Sequence, residues 1–125
     1  MSTSSSQLIQ SLAVALACLV ALGCGSASSA GPSNANLARA RKAWPEGARA
    51  YNLHCASCHG ERGNAPGVVP VMGPRALQGL REVAELEAYV AKEMPLPKRK
   101  QGSLSRAEYA AIARYLLEAS ASGSR

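Results

Sequence analysis

The five residues Cys55-Ala56-Ser57-Cys58-His59 restrict what this chain can fold into more than any other stretch. On a helical turn, thiols three residues apart lie where both can bond the two vinyl groups on one edge of a porphyrin. The imidazole of His59 follows at once and lies under the centre of such a ring, where it can bind iron. The spacing therefore predicts a covalently attached haem.

Three other kinds of site use similar residues. A structural zinc site usually needs a second pair of ligands. However, Cys18 and Cys24 lie in an apolar N-terminal segment, and His54 is crowded against the motif. A thioredoxin-like pair is expected beside a βαβ pattern, and no strand pattern flanks the motif. A simple disulfide would leave His59 unexplained, so we prefer the haem.

The composition agrees with a bound prosthetic group. The chain has 125 residues, enough for one domain, and it contains no Phe, one Trp and four Tyr. A core with so few large side chains is marginal, and a covalently held porphyrin would add apolar volume to it. The net charge of +6 favours acidic partners. We expect no nucleic-acid binding, because no aromatic residues alternate with the basic ones and no binding motif is present.

Residues 1–24 contain an apolar run that is short for a membrane-spanning helix and predicts an export signal. The sequence Ala21-Leu22-Gly23-Cys24 resembles a bacterial lipoprotein processing site, in which the cysteine becomes the lipidated N-terminus. Ordinary cleavage after Ala27 or Ala30 is the alternative. In both cases we expect a protein of the periplasm or cell envelope, and a lipid on Cys24 would hold it to the membrane.

The next segment predicts a linker and then a helix. Residues 25–44 are rich in Ser, Ala, Gly and Asn and show no strong helical period, which is typical of a flexible linker. Trp44-Pro45-Glu46 begins the first helix of the domain, with Pro in an early position and an acid in the first turn. Gly47, Tyr51 and Cys55 follow at intervals of four on one face.

A second helix is predicted well after the motif. Residues 81–93 carry an apolar stripe of helical period. Pro95 ends this helix, because a proline disfavours helical geometry in the residue before it, here Met94. The loop that precedes the helix contains Gly73-Pro74-Arg75-Ala76-Leu77.

A last helix begins at a capping box formed by Ser105 and Glu108. Leu104 and Tyr109 have the spacing of a hydrophobic staple across the same helix start. The helix is expected to run to about Ala119, and the tail after it is expected to fray.

These elements together resemble the class I c-type cytochromes. The resemblance covers residues 45–119 and leaves residues 120–125 as the frayed tail. It implies an all-α, small cytochrome c fold, in which three to four helices wrap around one covalently bound haem c. Cys55 and Cys58 would carry the two bonds to the porphyrin.

The resemblance also implies that the first helix crosses the last. Gly47 and Tyr51 match the positions that cross Ile112 and Tyr115 in such proteins. His54, next to the motif, would then point away from the distal side of the iron, and we expect it to be exposed.

The iron ligands follow from the same resemblance. His59 is the proximal ligand. Such proteins place the sixth ligand on a loop past their third core helix, and Met94, directly after the helix predicted at residues 81–93, is the expected sixth ligand here. Ligation by Met72, and a gap-filling core role for Met94, are the alternatives. Gly73-Pro74-Arg75-Ala76-Leu77 is similar to the family's Gly-Pro-x-Leu element, with one extra residue before the leucine. The Pro74 carbonyl is therefore expected to accept a hydrogen bond from the other ring nitrogen of His59.

The implied function is one-electron transfer between redox partners of the envelope, by a carrier rather than an enzyme. Lys98-Arg99-Lys100 lies beside the expected haem edge, either as a docking patch for an acidic partner or as a solvated loop. A haem sensor or small peroxidase, which would need an open or labile sixth position, is one alternative. The electron-entry subunit of a larger oxidoreductase is another.

Overall fold

The structure is a computed structural model that describes residues 31–77 and 79–121. In this part the chain forms five α-helices: α1 (Asn34–Ala43), α2 (Pro45–His54), α3 (Ala56–His59), α4 (Val83–Glu93) and α5 (Arg106–Ser120). A short 3-10 turn, Lys98–Lys100, lies between α4 and α5, and the described residues contain no strand. The prediction of an all-α fold is confirmed.

Helix α5 is the centre of the fold, because α1, α2 and α4 each pack against it. Its buried face consists of apolar and aromatic residues at helical spacing: Tyr109, Ile112, Ala113, Tyr115, Leu116 and Ala119. A capping box at Ser105 and Glu108 fixes the start of the helix, as the sequence predicts.

The crossing of α2 over α5 depends on Gly47. A Cβ at this position would collide with the Ala111 carbonyl and would lie 2.8 Å from the Cβ of Tyr115. One turn further along, the rings of Tyr51 and Tyr115 pack with their centroids 5.7 Å apart. Ile112 is fully buried in the same layer. The predicted crossing is therefore confirmed.

Helix α1 corrects the prediction of a flexible linker over residues 25–44. Ser33 accepts a hydrogen bond from the Asn36 backbone N–H at 3.1 Å and thereby caps the helix. Leu37 and Ala40, three residues apart, are both buried in the core. The prediction was wrong for residues 34–43 because a short apolar stripe packed on a neighbouring helix stabilises a segment whose own periodicity is weak.

Two polar contacts also hold α1 to the end of α5. The Arg39 guanidinium pairs with the Glu118 carboxylate at 2.5 Å, and the Asn36 side-chain amide donates to the Ala121 carbonyl at 2.7 Å. Ser120 belongs to α5, and its hydroxyl accepts a hydrogen bond from the Gly73 N–H at 3.2 Å. The prediction of a frayed tail from residue 120 is therefore wrong for these first two positions.

The expected export signal, the lipidation site at Cys24 and the end of the tail lie outside the described residues. Within residues 31–77 and 79–121, no helix has the length and apolar character needed to cross a membrane.

Candidate haem site

The cysteine motif folds as a single tight helical turn at the end of α2. The Cys55 N–H donates to the Tyr51 carbonyl at 2.8 Å, and Cys55 is the C-cap residue of α2. The backbone N–H groups of Cys58 and His59 then both donate to the Cys55 carbonyl, at 3.1 and 3.0 Å. Successive backbone hydrogen bonds thus fix the relative positions of the two thiols and the imidazole.

Both thiols are free, and they differ in environment. Cys55 is half-buried and Cys58 is exposed. Burial, and after it the charge of Cys58, raises the pKa of the Cys55 thiol to about 11. Cys55 therefore stays neutral across the physiological range, as suits a sulfur that lies against apolar surface.

The imidazole of His59 is 8 % exposed, and its Nδ1 is buried without a hydrogen-bond partner. The backbone around it is held firmly: the His59 carbonyl accepts from the Ala65 N–H at 3.0 Å, and the Gly60 carbonyl accepts from the Tyr51 hydroxyl at 2.8 Å. Gly60 has φ of 76°, a conformation in which glycine is favoured. A buried ring whose backbone is held in place and whose Nδ1 lacks a partner is available to bind a ligand or another polar group.

The expected hydrogen bond from His59 Nδ1 to the Pro74 carbonyl is not formed in this structure. Nδ1 has no partner, and Pro74 is exposed on the loop before α4. The role of Pro74 at the haem therefore stays a prediction.

The two candidate methionines occupy different environments. Met72 is 1 % exposed and packs under the loop that follows His59: a Cβ on Gly63 would lie 2.7 Å from its Cγ. Met94 is half-buried at the end of α4, where its N–H donates to the Val90 carbonyl at 2.8 Å. Met72 thus fills a gap in the core, whereas Met94 lies at the edge of the core.

A set of half-buried apolar residues packs against the core: Cys55, Ala56, Val71, Leu77, Leu80, Val83, Ala91, Met94, Leu104 and Leu117. Three of them, Leu77, Leu80 and Leu117, also line an open groove of about 190 Å³. Two free thiols and a buried imidazole on one helical turn are the donor set that fits a porphyrin bonded through sulfur, with histidine nitrogen on its iron.

A family model described as "Cytochrome C oxidase, cbb3-type, subunit III" matches residues 42–116, which is more than half of the chain. The chain belongs to this family. It is a small c-type cytochrome that carries covalently bound haem c with its iron, and Cys55 and Cys58 lie in the matched region. No curated protein and no solved structure matches the chain. Most of α1 lies outside the matched region.

His54 differs from its prediction in this cytochrome c domain. It is half-buried rather than exposed, because the end of α2 packs near the start of α5. Its Nε2 lies 3.7 Å from the Glu108 carboxylate, too far for a hydrogen bond, and has no partner. The pKa of Glu108 is lowered, first by the backbone and hydroxyl hydrogen bonds of Ser105 and then by the charges of His54 and Arg49.

Three polar contacts of the cytochrome c domain were missed in the sequence. The hydroxyl groups of Tyr51 and Tyr109 donate to the Gly60 and Met94 carbonyls, at 2.8 and 3.2 Å. Arg62 donates to the Pro32 carbonyl at 2.5 Å and so ties the start of α1 to the loop after His59. One of these contacts had a signal in the sequence. Tyr109 occupies a staple position where an aliphatic residue would pack equally well, which indicates that its hydroxyl has a partner.

Proposed function

We propose that this cytochrome c domain is a one-electron carrier of the cell envelope. Its porphyrin is bonded to Cys55 and Cys58, and its iron is ligated by His59 and Met94. The haem supplies the redox chemistry, and the protein supplies binding, orientation and a dry environment. The observation that carries the proposal is the single helical turn that presents two free thiols beside the buried imidazole of His59.

The two proposed ligands have different tasks. His59 has its backbone fixed on both sides by hydrogen bonds, which suits a permanent proximal ligand. Met94 offers a soft thioether sulfur, which stabilises Fe(II) and raises the reduction potential. Its position at the edge of the core supports this role over that of Met72, which the surrounding protein encloses.

The proposed docking surface is the loop after Met94. Leu96, Lys98 and Lys100 are exposed there, so an apolar side chain and two cations lie beside the proposed sixth ligand. An acidic redox partner would be attracted to such a surface, and its association would weaken as salt is added. A lipid on Cys24 would keep the carrier at the membrane.

A second candidate is an electron-entry subunit of a larger membrane oxidoreductase. The description of the matched family, a subunit of a cbb3-type oxidase, favours it. Affinity purification of the intact protein from membranes, with spectra of the bound material, separates the candidates. A free carrier elutes alone with one haem, whereas a subunit brings further haem-containing chains with it.

A haem sensor or peroxidase is less well supported. The chain has two histidines in all, and His54 lies against Glu108 of α5. A carrier needs both axial positions filled, whereas a sensor or peroxidase needs the sixth position free.

The proposed ligation is tested with the ferric protein and two methionine variants. In this family a thioether–Fe(III) bond gives a weak near-infrared band, so wild-type protein should show it. Met94→Ala should abolish the band and lower the reduction potential, and the matched control Met72→Ala should keep it. A band that survives Met94→Ala and disappears in Met72→Ala would reverse the assignment. A wild-type protein that is already high-spin and binds ligands freely would favour the sensor.

A further inference from the structure

We infer that Tyr109 is a positioning residue for the sixth ligand: its hydroxyl holds the backbone of Met94 and thereby keeps the thioether at the iron. The inference rests on the proposed ligation by Met94. It begins from one contact, the hydrogen bond from the Tyr109 hydroxyl to the Met94 carbonyl at 3.2 Å.

Tyr109 is well suited to fix another residue. It lies in the first turns of α5, where the capping box of Ser105 and Glu108 anchors the backbone, and its side chain is 3 % exposed. A buried ring on a capped helix loses no further side-chain freedom when it makes a hydrogen bond. The hydroxyl is therefore a fixed point on the most central helix of the fold.

The segment that Tyr109 holds is otherwise loosely attached. We call residues 94–104 the methionine loop. Its middle is open to solvent, with Leu96 64 % exposed, and its 3-10 turn carries exposed lysines. The attachments are at the sides: Gln101 donates to the Glu93 carbonyl at 3.0 Å, and the Leu104 N–H lies 3.5 Å from the Tyr109 hydroxyl, a long contact. Tyr109 thus touches both ends of the methionine loop.

The Met94 carbonyl needs such a partner. Met94 caps the C-terminus of α4, where the last carbonyls of a helix have no intrahelical donor. If the loop swings away from the iron, this carbonyl leaves the Tyr109 hydroxyl, so the hydrogen bond favours the closed, ligated arrangement over the open one. The net value of one such bond corresponds to roughly a two- to tenfold change in the ratio of closed to open loop.

The chain provides a matched control on the other side of the site. The Tyr51 hydroxyl donates to the Gly60 carbonyl at 2.8 Å, next to the proximal His59, and Tyr51 is 1 % exposed. Tyr51→Phe and Tyr109→Phe each remove one hydroxyl from a buried ring and one hydrogen bond to a backbone carbonyl, and Tyr109→Phe also removes the long contact with the Leu104 N–H. They differ in which axial ligand the bond supports.

The experiment titrates full-length, haem-loaded ferric protein with imidazole, which competes for the sixth position. Tyr109→Phe is expected to raise both the affinity for imidazole and its binding rate roughly two- to tenfold. Tyr51→Phe should bind imidazole like the wild type, even if both variants lose similar stability in denaturant. A wild-type affinity in Tyr109→Phe would overturn the inference. An equal rise in Tyr51→Phe would also overturn it, because the effect would then be one of general stability.

Met94→Ala is titrated alongside. If Met94→Ala binds imidazole no better than the wild type, Met94 is not the sixth ligand, and the proposed ligation fails together with the role of Tyr109. If Met94→Ala binds much better while Tyr109→Phe is unchanged, the ligation stands and only the positioning role fails.

Discussion

The two sides of the proposed haem site are built in different ways. On the proximal side, Cys58, His59 and Gly60 follow one another along the chain, and backbone hydrogen bonds to Cys55 and Ala56 fix all three. On the distal side, the methionine loop depends on side chains from elsewhere, above all Tyr109. Local backbone bonds form wherever the helical turn forms, whereas the distal contacts need the whole fold. We therefore expect a permanent proximal ligand and an exchangeable distal one.

The largest expected effect is on the proximal side. Replacing both thiols, Cys55→Ala with Cys58→Ala, should abolish covalent attachment, since the bonds to the porphyrin are made by these two sulfurs. Haem staining after denaturing electrophoresis measures this directly. Met94→Ala is the control and should keep its stained band, because the distal ligand takes no part in attachment. Haem that stays with the denatured double variant would contradict the account.

Two glycines test the difference in rigidity between the two sides. Gly63 has φ of 65°, and an added Cβ would lie 2.7 Å from the Met72 Cγ and 2.9 Å from the Met72 backbone nitrogen. Gly63→Ala combines left-handed strain with overpacking and should lower the free energy of unfolding by about 3–4 kcal/mol.

Gly102, in the methionine loop, is the matched glycine. Its φ is 71°, but the nearest atom to an added Cβ is the Ala91 oxygen at 4.0 Å. Gly102→Ala should therefore cost only the strain, about 1 kcal/mol. Chemical denaturation of the two variants measures the difference. Equal losses of unfolding free energy in the two variants would show that both loops accommodate an added Cβ equally well.

Helix α1 extends the proximal side, since Arg62 in the loop after His59 donates to Pro32 just before this helix. Leu37→Ala removes a side chain that is 5 % exposed and should cost about 2–3 kcal/mol. Arg39→Ala breaks an exposed ion pair and should cost less than about 1 kcal/mol. Imidazole binding should stay at the wild-type level in both. A wild-type unfolding curve for Leu37→Ala would mean that α1 is not part of the folded domain.

The smallest effect concerns the helix start that carries Tyr109. The pKa of Glu108 lies below its ordinary value of 4.5, chiefly through hydrogen bonds from Ser105. A carboxyl with a lowered pKa stabilises the folded protein at pH values above its ordinary pKa. This stabilisation is lost as the pH falls through the pKa of the carboxyl in the folded state. Ser105→Ala keeps the backbone hydrogen bond and removes only the smaller contribution of the hydroxyl, so it should be slightly less stable near neutrality and lose slightly less stability on acidification. Unfolding at two pH values measures it, and parallel pH profiles for the two proteins would contradict it.

The parts of the fold that were predictable are those in which near neighbours decide the structure. The turn at Cys55–His59, the capping box of Ser105 and Glu108, and the end of α4 before Pro95 all follow from local rules. The crossing of Gly47 over α5 is a tertiary contact, and it was predicted from the resemblance to class I cytochromes c. The structure supplies the physical reason, because only a residue without a side chain lets the two helices approach so closely.

The failures have a common physical cause. Helix α1 is stabilised by burial of Leu37 on α5, and the exposure of His54 is reduced by the same neighbour, so neither can be read from a local pattern. The hydroxyl of Tyr109 is similar: the staple spacing predicts where its ring packs, but the carbonyl it meets lies fifteen positions away along the chain. Non-local contacts decide these positions.

The most direct test of the account is the atom that binds iron opposite His59. X-ray absorption at the iron edge of the reduced, haem-loaded protein reports a sulfur neighbour, because the thioether sulfurs of Cys55 and Cys58 are bonded to the porphyrin and not to the metal. We expect one sulfur at the iron in the wild type and in Met72→Ala, and none in Met94→Ala. A sulfur neighbour that persists in Met94→Ala, or that is missing from the wild type, would contradict the account.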